Sequence, residues 1–501
     1  MTPSKSTVRG RQQTMARTTS LPCVLRRIGF LAAAWGLLVS APAFAQPRPA
    51  PTLPGTVAGT RVAGWLAAFN SGDDAQMRQY LADNLAPEAI ARAPIEERLA
   101  SMREMRTALG KLELRKVVQS VESRVVVVVA SGDEFEQLDF EFEPQPPHRF
   151  LRMRGQSADN PDLPPPSRVS EPEALVAIEK AVAEAVAADQ FSGTVLVARE
   201  GKPLLLKSWG LASVEHNVPN RTDTKYNLGS INKLFTRLAI GQLVQAGKLS
   251  FDDTLGKVLP DYPSVEARQK VTVRHLLDMS SGIGDFFGER FEATPKDRVR
   301  TIRDYLPLFA DKPLEFKPGT QARYSNGGYV VLGAIIEKAS GQDYYAYVRE
   351  HLFKPLGMAS TDSYEADASV PNLAMGYTRP GPSEPRRSNI YTRPARGSSA
   401  GGGYSTAEDM LRFGLALQRG ALLKPETVRA VFGEMWPAAP GKELLEGRIS
   451  GGWTGGAPGI NAALETDARA GTTIVVLANL DPPSAGRVAK KIRPWLERPA
   501  R

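Results

Sequence analysis

Two proline-rich breaks divide this chain into stretches that must bury their apolar surfaces separately. Gln46 to Gly55 reads as a flexible tether, and Ser157 to Ser167, with Pro161, Pro164, Pro165 and Pro166, reads as a second linker. At 501 residues the chain exceeds one ordinary core, so two folded domains and a targeting segment are expected. The division is a leader at 1–45, a tether at 46–55, a first domain at 56–154, a linker at 155–170 and a second domain at 171–497. With 42% hydrophobic and 23% charged residues, the composition is that of a globular protein and excludes the disordered and membrane-embedded classes.

The leader carries Arg26 and Arg27 before an apolar run from Ile28 to Val39, then Ala43-Phe44-Ala45 ahead of Gln46, which is a signal-peptide pattern. Export to a periplasm or to the extracellular space is expected, by the general or the twin-arginine route. No later stretch approaches the ~20 apolar residues a membrane span needs, so no span is expected after cleavage. Residues 1–45 hold six cations and no acid, so their loss takes the formal charge from +9 to +3. A nucleic-acid partner gains no support from that balance. The single cysteine, Cys23, precedes the apolar run, leaving the mature chain without thiol chemistry.

In the first domain, helix-spaced apolar residues mark Val62 to Phe69, Ala75 to Asn84 and Ile95 to Leu109. Lys111 to Ser120, Ser123 to Ala130, Leu138 to Phe142 and Phe150 to Met153 then read as a β meander. This order, with Trp65-Leu66-Ala67-Ala68-Phe69-Asn70-Ser71-Gly72-Asp73, resembles the cone-shaped NTF2-like α+β domain. The resemblance implies a packing module, or one through which a homodimer forms.

The second domain opens with a helix, Glu171 to Ala187, and a hairpin, Thr194 to Ala198 and Leu204 to Lys207, turned by Glu200-Gly201. Long helical stretches fill its middle, and strands return at Ile460 to Glu465 and Thr472 to Ala478. The expected fold class is α+β, with an antiparallel sheet whose edges come from both ends of the domain, flanked by helices.

Three ordered motifs carry chemistry. Ser230-Ile231-Asn232-Lys233 opens an amphipathic helix with Leu234, Leu238 and Leu243 on its apolar face and Gly247 as its stop. Three residues apart on a helix, serine and lysine share a face, and a lysine whose pKa burial lowers can take the serine proton. Tyr324-Ser325-Asn326 precedes a helix from Gly328 to Ala339, offering a phenol for proton transfer and an amide for a substrate carbonyl. Trp453-Thr454-Gly455-Gly456-Ala457-Pro458-Gly459 lies ahead of the strand at Ile460, where glycines permit close backbone approach and an N–H can serve an oxyanion.

On these motifs the chain resembles the serine β-lactamase and penicillin-binding-protein superfamily, most closely its class C-like branch. Val273 to Leu277, Ser280 to Ile283, Leu352 to Met358 and Gly401 to Thr406 support the likeness outside the site. The resemblance implies Ser230 as nucleophile, Lys233 and Tyr324 as the proton-transfer pair, Asn326 as a substrate-positioning amide, and Gly456 N–H as second oxyanion donor beside that of Ser230. Which of Lys233 and Tyr324 is the base stays open.

Trp453 departs from the pattern by standing where the superfamily carries Lys or His. Indole has one N–H and no charge, so a substrate carboxylate loses about 1.5–3 kcal/mol of charge-assisted contact. Esterases of this fold are similar in carrying Trp-x-Gly there, matched by Trp453-Thr454-Gly455, with Gly456 following. The first expected function is hydrolysis of carboxylic esters through an acyl-enzyme. A D-amino-acid peptidase, DD-carboxypeptidase or β-lactamase is the second, and a non-catalytic envelope-peptide binder the third. The substrate is a small ester, amide or lactam, and no cofactor or metal is expected.

His148, His216, His275 and His351 are the only histidines, and none adjoins a nucleophile elbow. Ser405-Thr406-Ala407-Glu408 reads as a capping box.

Overall fold

The computed structural model describes residues 51–496 apart from 93, 133, 159, 162–168, 381–383, 434–442 and 446. The expected leader, Cys23, residues 46–50 of the first tether and Pro164, Pro165 and Pro166 lie outside the described residues.

Four helices open the described chain: α1 (Val57–Ser71), α2 (Asp74–Asn84), α3 (Pro87–Arg92) and α4 (Ile95–Leu109). Strands β1 (Glu113–Val121), β2 (Arg124–Ser131), β3 (Glu134–Phe142) and β4 (Phe150–Ser157) follow as an antiparallel meander in chain order. The α1–α2 corner is written in the sequence. Gly72 takes φ +76 at the end of α1, a left-handed conformation that disfavours a side chain, and the Asp73 carboxylate caps α2 by accepting from Ala75 N. Asn70 fixes that corner to the start of the meander, donating to Leu112 O at 2.7 Å and accepting from Leu112 N at 2.8 Å. The core here is aromatic: Trp65 stacks on Phe69 with ring centroids 5.0 Å apart and meets Phe140 edge-on at 5.3 Å.

Beyond the linker, α5 (Glu171–Ala187) starts in a capping box formed by Ser170 and Glu173. Strands β5 (Gly193–Arg199) and β6 (Lys202–Trp209) form the expected hairpin, and Glu200 and Gly201 both take positive φ, as a two-residue turn of this twist requires. Helices α6 (Asn232–Gln245), α7 (Asn326–Ser340) and α8 (Ala407–Arg419) lead to β7 (Glu443–Leu445), β8 (Arg448–Ala457), β9 (Ile460–Asp467), β10 (Thr472–Ala478) and α9 (Ser484–Leu496). The sheet is antiparallel with order β7-β8-β9-β10-β5-β6, so its edges do come from both ends of this region.

Alternation along the central strands explains why the sheet is covered on both faces. Leu196, Ala198, Val475 and Leu477 point into the cluster that includes α6, α7 and α8. Val195, Val197, Ile474, Val476 and Ala478 point the other way, against Ile178, Val182 and Ala185 of α5 and Val488, Ala489 and Ile492 of α9. Strands buried on both faces read as unbroken apolar runs, as these do. Helix α9 also touches the meander: Lys490 Nζ donates to Phe135 O at 3.1 Å and lies 3.6 Å from Glu136.

Four expectations need correction. Helix α6 is not amphipathic, because Asn232 through Gly241 are all buried, and a helix enclosed on every side shows no polar face. The middle of this region contains many short helices of 4–8 residues besides α6, α7 and α8, rather than long ones. The glycine-rich segment at 453–457 belongs to strand β8 itself. The cap of α8 is Thr406, which accepts from Asp409 N at 3.2 Å, one residue later than Ser405; Ser405 instead shares a hydrogen bond with Thr361.

Thr406→Ala is therefore expected to cost about 1 kcal/mol in urea unfolding, and Glu408→Ala, on the exposed face, less than about 0.5 kcal/mol. Equal costs would return the cap to the earlier register.

Candidate active site

Ser230 sits in one turn of 3-10 helix, Gly229–Ile231, that runs directly into α6. The turn is aimed by its approach. Tyr226-Asn227 pairs with Tyr404-Ser405, and Asn227 Oδ1 accepts from Gly229 N at 2.9 Å, where Gly229 has φ +50. Strand β8 lies against this turn with no side chain between. A Cβ on Gly455 would fall 2.0 Å from Leu228 O and 2.8 Å from Ser230 N, and one on Gly229 would fall 2.7 Å from Gly456 N. Glycine at both places is a steric requirement.

Lys233, one turn after Ser230, is 6% exposed. Its Nζ lies 2.6 Å from Ala400 O, 2.7 Å from Asn326 Oδ1 and 3.2 Å from Ser230 Oγ, with the rings of Tyr324 and Tyr329 at 4.6 and 5.4 Å from their centroids. Burial pulls the lysine down to about 7, against the opposing pull of Asp285. A neutral amine has two N–H groups and one lone pair. The two carbonyl oxygens can only accept, so they take the N–H groups, and the lone pair is left facing Ser230 Oγ.

Tyr324 and Asn326 flank Ser325, the cap of α7. The Ser325 hydroxyl accepts from Gly328 N at 2.8 Å and donates to Ile283 O at 2.6 Å, pinning the helix start to the 283–285 loop. Tyr324 OH then lies 2.5 Å from Ser230 Oγ. Burial pushes this phenol up to about 12, partly offset by the bond to Ser230. Near neutral pH a lysine so lowered is able to gain or lose a proton, whereas the phenol holds its own.

Ser230, Lys233, Tyr324, Asn326, Trp453, Thr454 and Gly456 line one cleft, and Gly455 packs against Leu228 and Ser230. Asn326 departs from the expected placement: its amide oxygen holds Lys233, and its Nδ2 donates to Asp285 Oδ2 at 2.7 Å. Trp453 is 8% exposed within the core cluster and its Nε1 has no hydrogen-bond partner among the described residues, whereas Thr454, its neighbour on the opposite face, is exposed. Asp285 and Ala400 carried no individual signal in the sequence, because their parts arise only where the chain folds back on Lys233. His275 caps the short helix at Val273–Leu277 with Thr272. Among the described residues no cluster of acids, histidines or cysteines is placed to hold a metal, and no helix is long and apolar enough to cross a membrane.

An antiparallel sheet covered by helices carries a serine in contact with a buried lysine and a tyrosine beside a glycine strand, an arrangement chemically suited to an activated nucleophile. The chain belongs to the Beta-lactamase family, whose model matches residues 178–496. Penicillin-binding protein 4* of Bacillus subtilis (strain 168) is 32% identical over 298 residues, covering 53% of this chain and 64% of that protein, so the match spans just under two thirds of that relative. Among solved structures, a penicillin binding protein from Bacillus halodurans is 30% identical with a TM-score of 0.54, covering 64% of this chain and 98% of the other. A D-stereospecific amidohydrolase from Streptomyces sp. is 26% identical with a TM-score of 0.53, covering 63% and 97%. Family membership supports serine-hydrolase activity in general.

Gly455→Ala is expected to destabilise the protein by about 1–3 kcal/mol, as overpacking does, and to displace Ser230. A thermal melt and an ester-hydrolysis assay check this, and wild-type behaviour in both would contradict the close contact.

Proposed function

We propose that the chain hydrolyses carboxylic esters through an acyl-enzyme on Ser230. The observation that carries this reading is the Ser230 hydroxyl held between the Lys233 amine at 3.2 Å and the Tyr324 phenol at 2.5 Å. Lys233, drawn down to about 7 with its lone pair toward the serine, takes the Ser230 proton as Oγ bonds to the ester carbon. Tyr324, still protonated, passes its proton to the departing alkoxide as the bond from the acyl carbon breaks, and takes one back from the Lys233 ammonium, which returns that amine to its neutral form. The N–H groups of Ser230 and Gly456 receive the oxyanion. The register Ala457↔Ile460, Gly456↔Asn461 closes on a two-residue turn, which puts Gly456 N–H on the open strand edge beside Gly229. Water then releases the acyl group.

Ester preference rests on Trp453, which offers no charge where a carboxylate-binding cation would stand. The class C-like branch is the closest resemblance, through the order of the three motifs and Trp453-Thr454-Gly455. We read residues 56–154 as an NTF2-like packing or dimerisation module, from their helix-then-meander order, and the protein as exported, from its first 45 residues.

A second reading, a D-peptidase or β-lactamase, is favoured by one feature of the cleft. Arg393 lines it, and its Nε has no hydrogen-bond partner among the described residues. The names of the penicillin-binding relatives point the same way.

Ser230→Ala should abolish turnover of a chromogenic short-chain ester with an unchanged melting curve. In the wild type, kcat/KM should rise with pH through a limb near 7, because only the deprotonated amine accepts a proton; a limb below about pH 5 would place the base on a carboxyl group. A neutral ester should outperform a carboxylate-bearing cephalosporin, and Trp453→Lys should narrow the gap about tenfold or more. Preference for the cephalosporin in the wild type, lost in Arg393→Ala, would establish the second reading.

A further inference from the structure

Asp285 lies on the loop between the short helices at 273–277 and 289–293, outside the three motifs, and both of its oxygens are used. Oδ1 accepts from Phe287 N at 3.0 Å, closing a local turn, and Oδ2 accepts from Asn326 Nδ2 at 2.7 Å. The second bond matters because a carboxamide can be turned end for end at little steric cost. With its oxygen toward Lys233, Asn326 takes an N–H from the amine and leaves the lone pair for Ser230. Turned over, it presents its own N–H groups to the amine and competes with Ser230 for the lone pair. A carboxylate accepts and never donates, so it admits only the first orientation.

We propose that Asp285 is a positioning residue of the hydrolytic site, locking the Asn326 amide so that the Lys233 lone pair is aimed at the Ser230 hydroxyl. This rests on the Ser230–Lys233 reading above. The 283–285 loop is fixed for the task by the Ser325 hydroxyl, which bonds Ile283 O at 2.6 Å, and by Gly327, where a Cβ would lie 2.2 Å from Gly284 O. The carboxylate also acts through its charge. Lys233 is faced by Ser230, Ala400 O, Asn326 and the rings of Tyr324 and Tyr329, while the Arg237 guanidinium, one turn on along α6, donates to Tyr329 OH at 2.7 Å. Among these groups Asp285 favours the charged amine, against the burial that disfavours it. Removing its charge therefore moves the lysine further down and carries the acid limb of activity to lower pH.

The rate of Ser230 modification by a fluorophosphonate, followed by mass spectrometry across about pH 5–9, tests this in wild type, Asp285→Asn and Asp285→Ala. The Asn variant removes the charge and has one acceptor oxygen where Asp285 uses two, so it keeps the bond from Asn326 by giving up the one from Phe287 N. Its limb should shift to lower pH while its plateau stays within about threefold of wild type; the Ala variant should show the same shift and lose tenfold or more of its plateau through the misaligned amine. Thermal melts report whether each variant is folded. An unshifted limb in folded Asp285→Asn, or an unaltered plateau in Asp285→Ala, overturns the proposal. Loss of rate in both variants with no change in limb reduces Asp285 to its turn with Phe287 and overturns it as well. A wild-type protein that takes up no label defeats the Ser230 reading itself, a result separate from any difference among the variants.

Discussion

Everything at the cleft follows from two backbones being allowed to touch. Because β8 carries glycine where it crosses the Ser230 turn, the sheet meets the start of α6 without intervening side chains. That contact sets the Ser230 turn against the strand, while Ala400, Asn326 and the rings of Tyr324 and Tyr329 enclose the lysine. An amine so enclosed, with two carbonyls to satisfy, has little freedom left in how it points, and its loss of charge is the electrostatic result of the same packing.

Much of the architecture was legible because it depends on periodicity and turn chemistry. The helix at 171–187, the Glu200-Gly201 hairpin and the strands at 460 and 472 all lie where alternation and caps put them. Legibility failed where tertiary contact overrides a local rule. Strand β8 was hidden because glycine has poor strand propensity, and it is a strand there because a neighbouring backbone comes too close for anything larger. Helix α6 looked amphipathic because Asn232, Lys233, Thr236 and Arg237 are polar, yet each is buried and paired. Arg237 gives its three nitrogens to Tyr329 OH and the carbonyls of Val431 and Leu277. Within the site, Ser230, Lys233 and Tyr324 were visible as spacing, whereas Asp285 acts through an amide from a segment 41 residues away and so leaves no local pattern.

Trp453 shows how one position serves two ends. Its indole belongs to the core cluster that backs β8, and it also lines the cleft. A lysine there would have to satisfy a charge in a setting built for a flat apolar ring, so a change of chemistry at this place carries a cost in packing as well. The buried, unpartnered indole N–H marks the same compromise.

The pairing of β5 with β10 joins Gly193 to Ala478 and Arg199 to Thr472 at the centre of the sheet. During translation the meander at 113–157 can close on itself early, but the apolar strand at 193–199 must wait for about 280 further residues, on the order of tens of seconds of synthesis. Over that interval β5 has only its hairpin partner β6, and the glycine strand that shapes the cleft has not been made either. One edge of that hairpin stays open until β10 is available, so the sheet that carries the site closes only when both ends of the region are present.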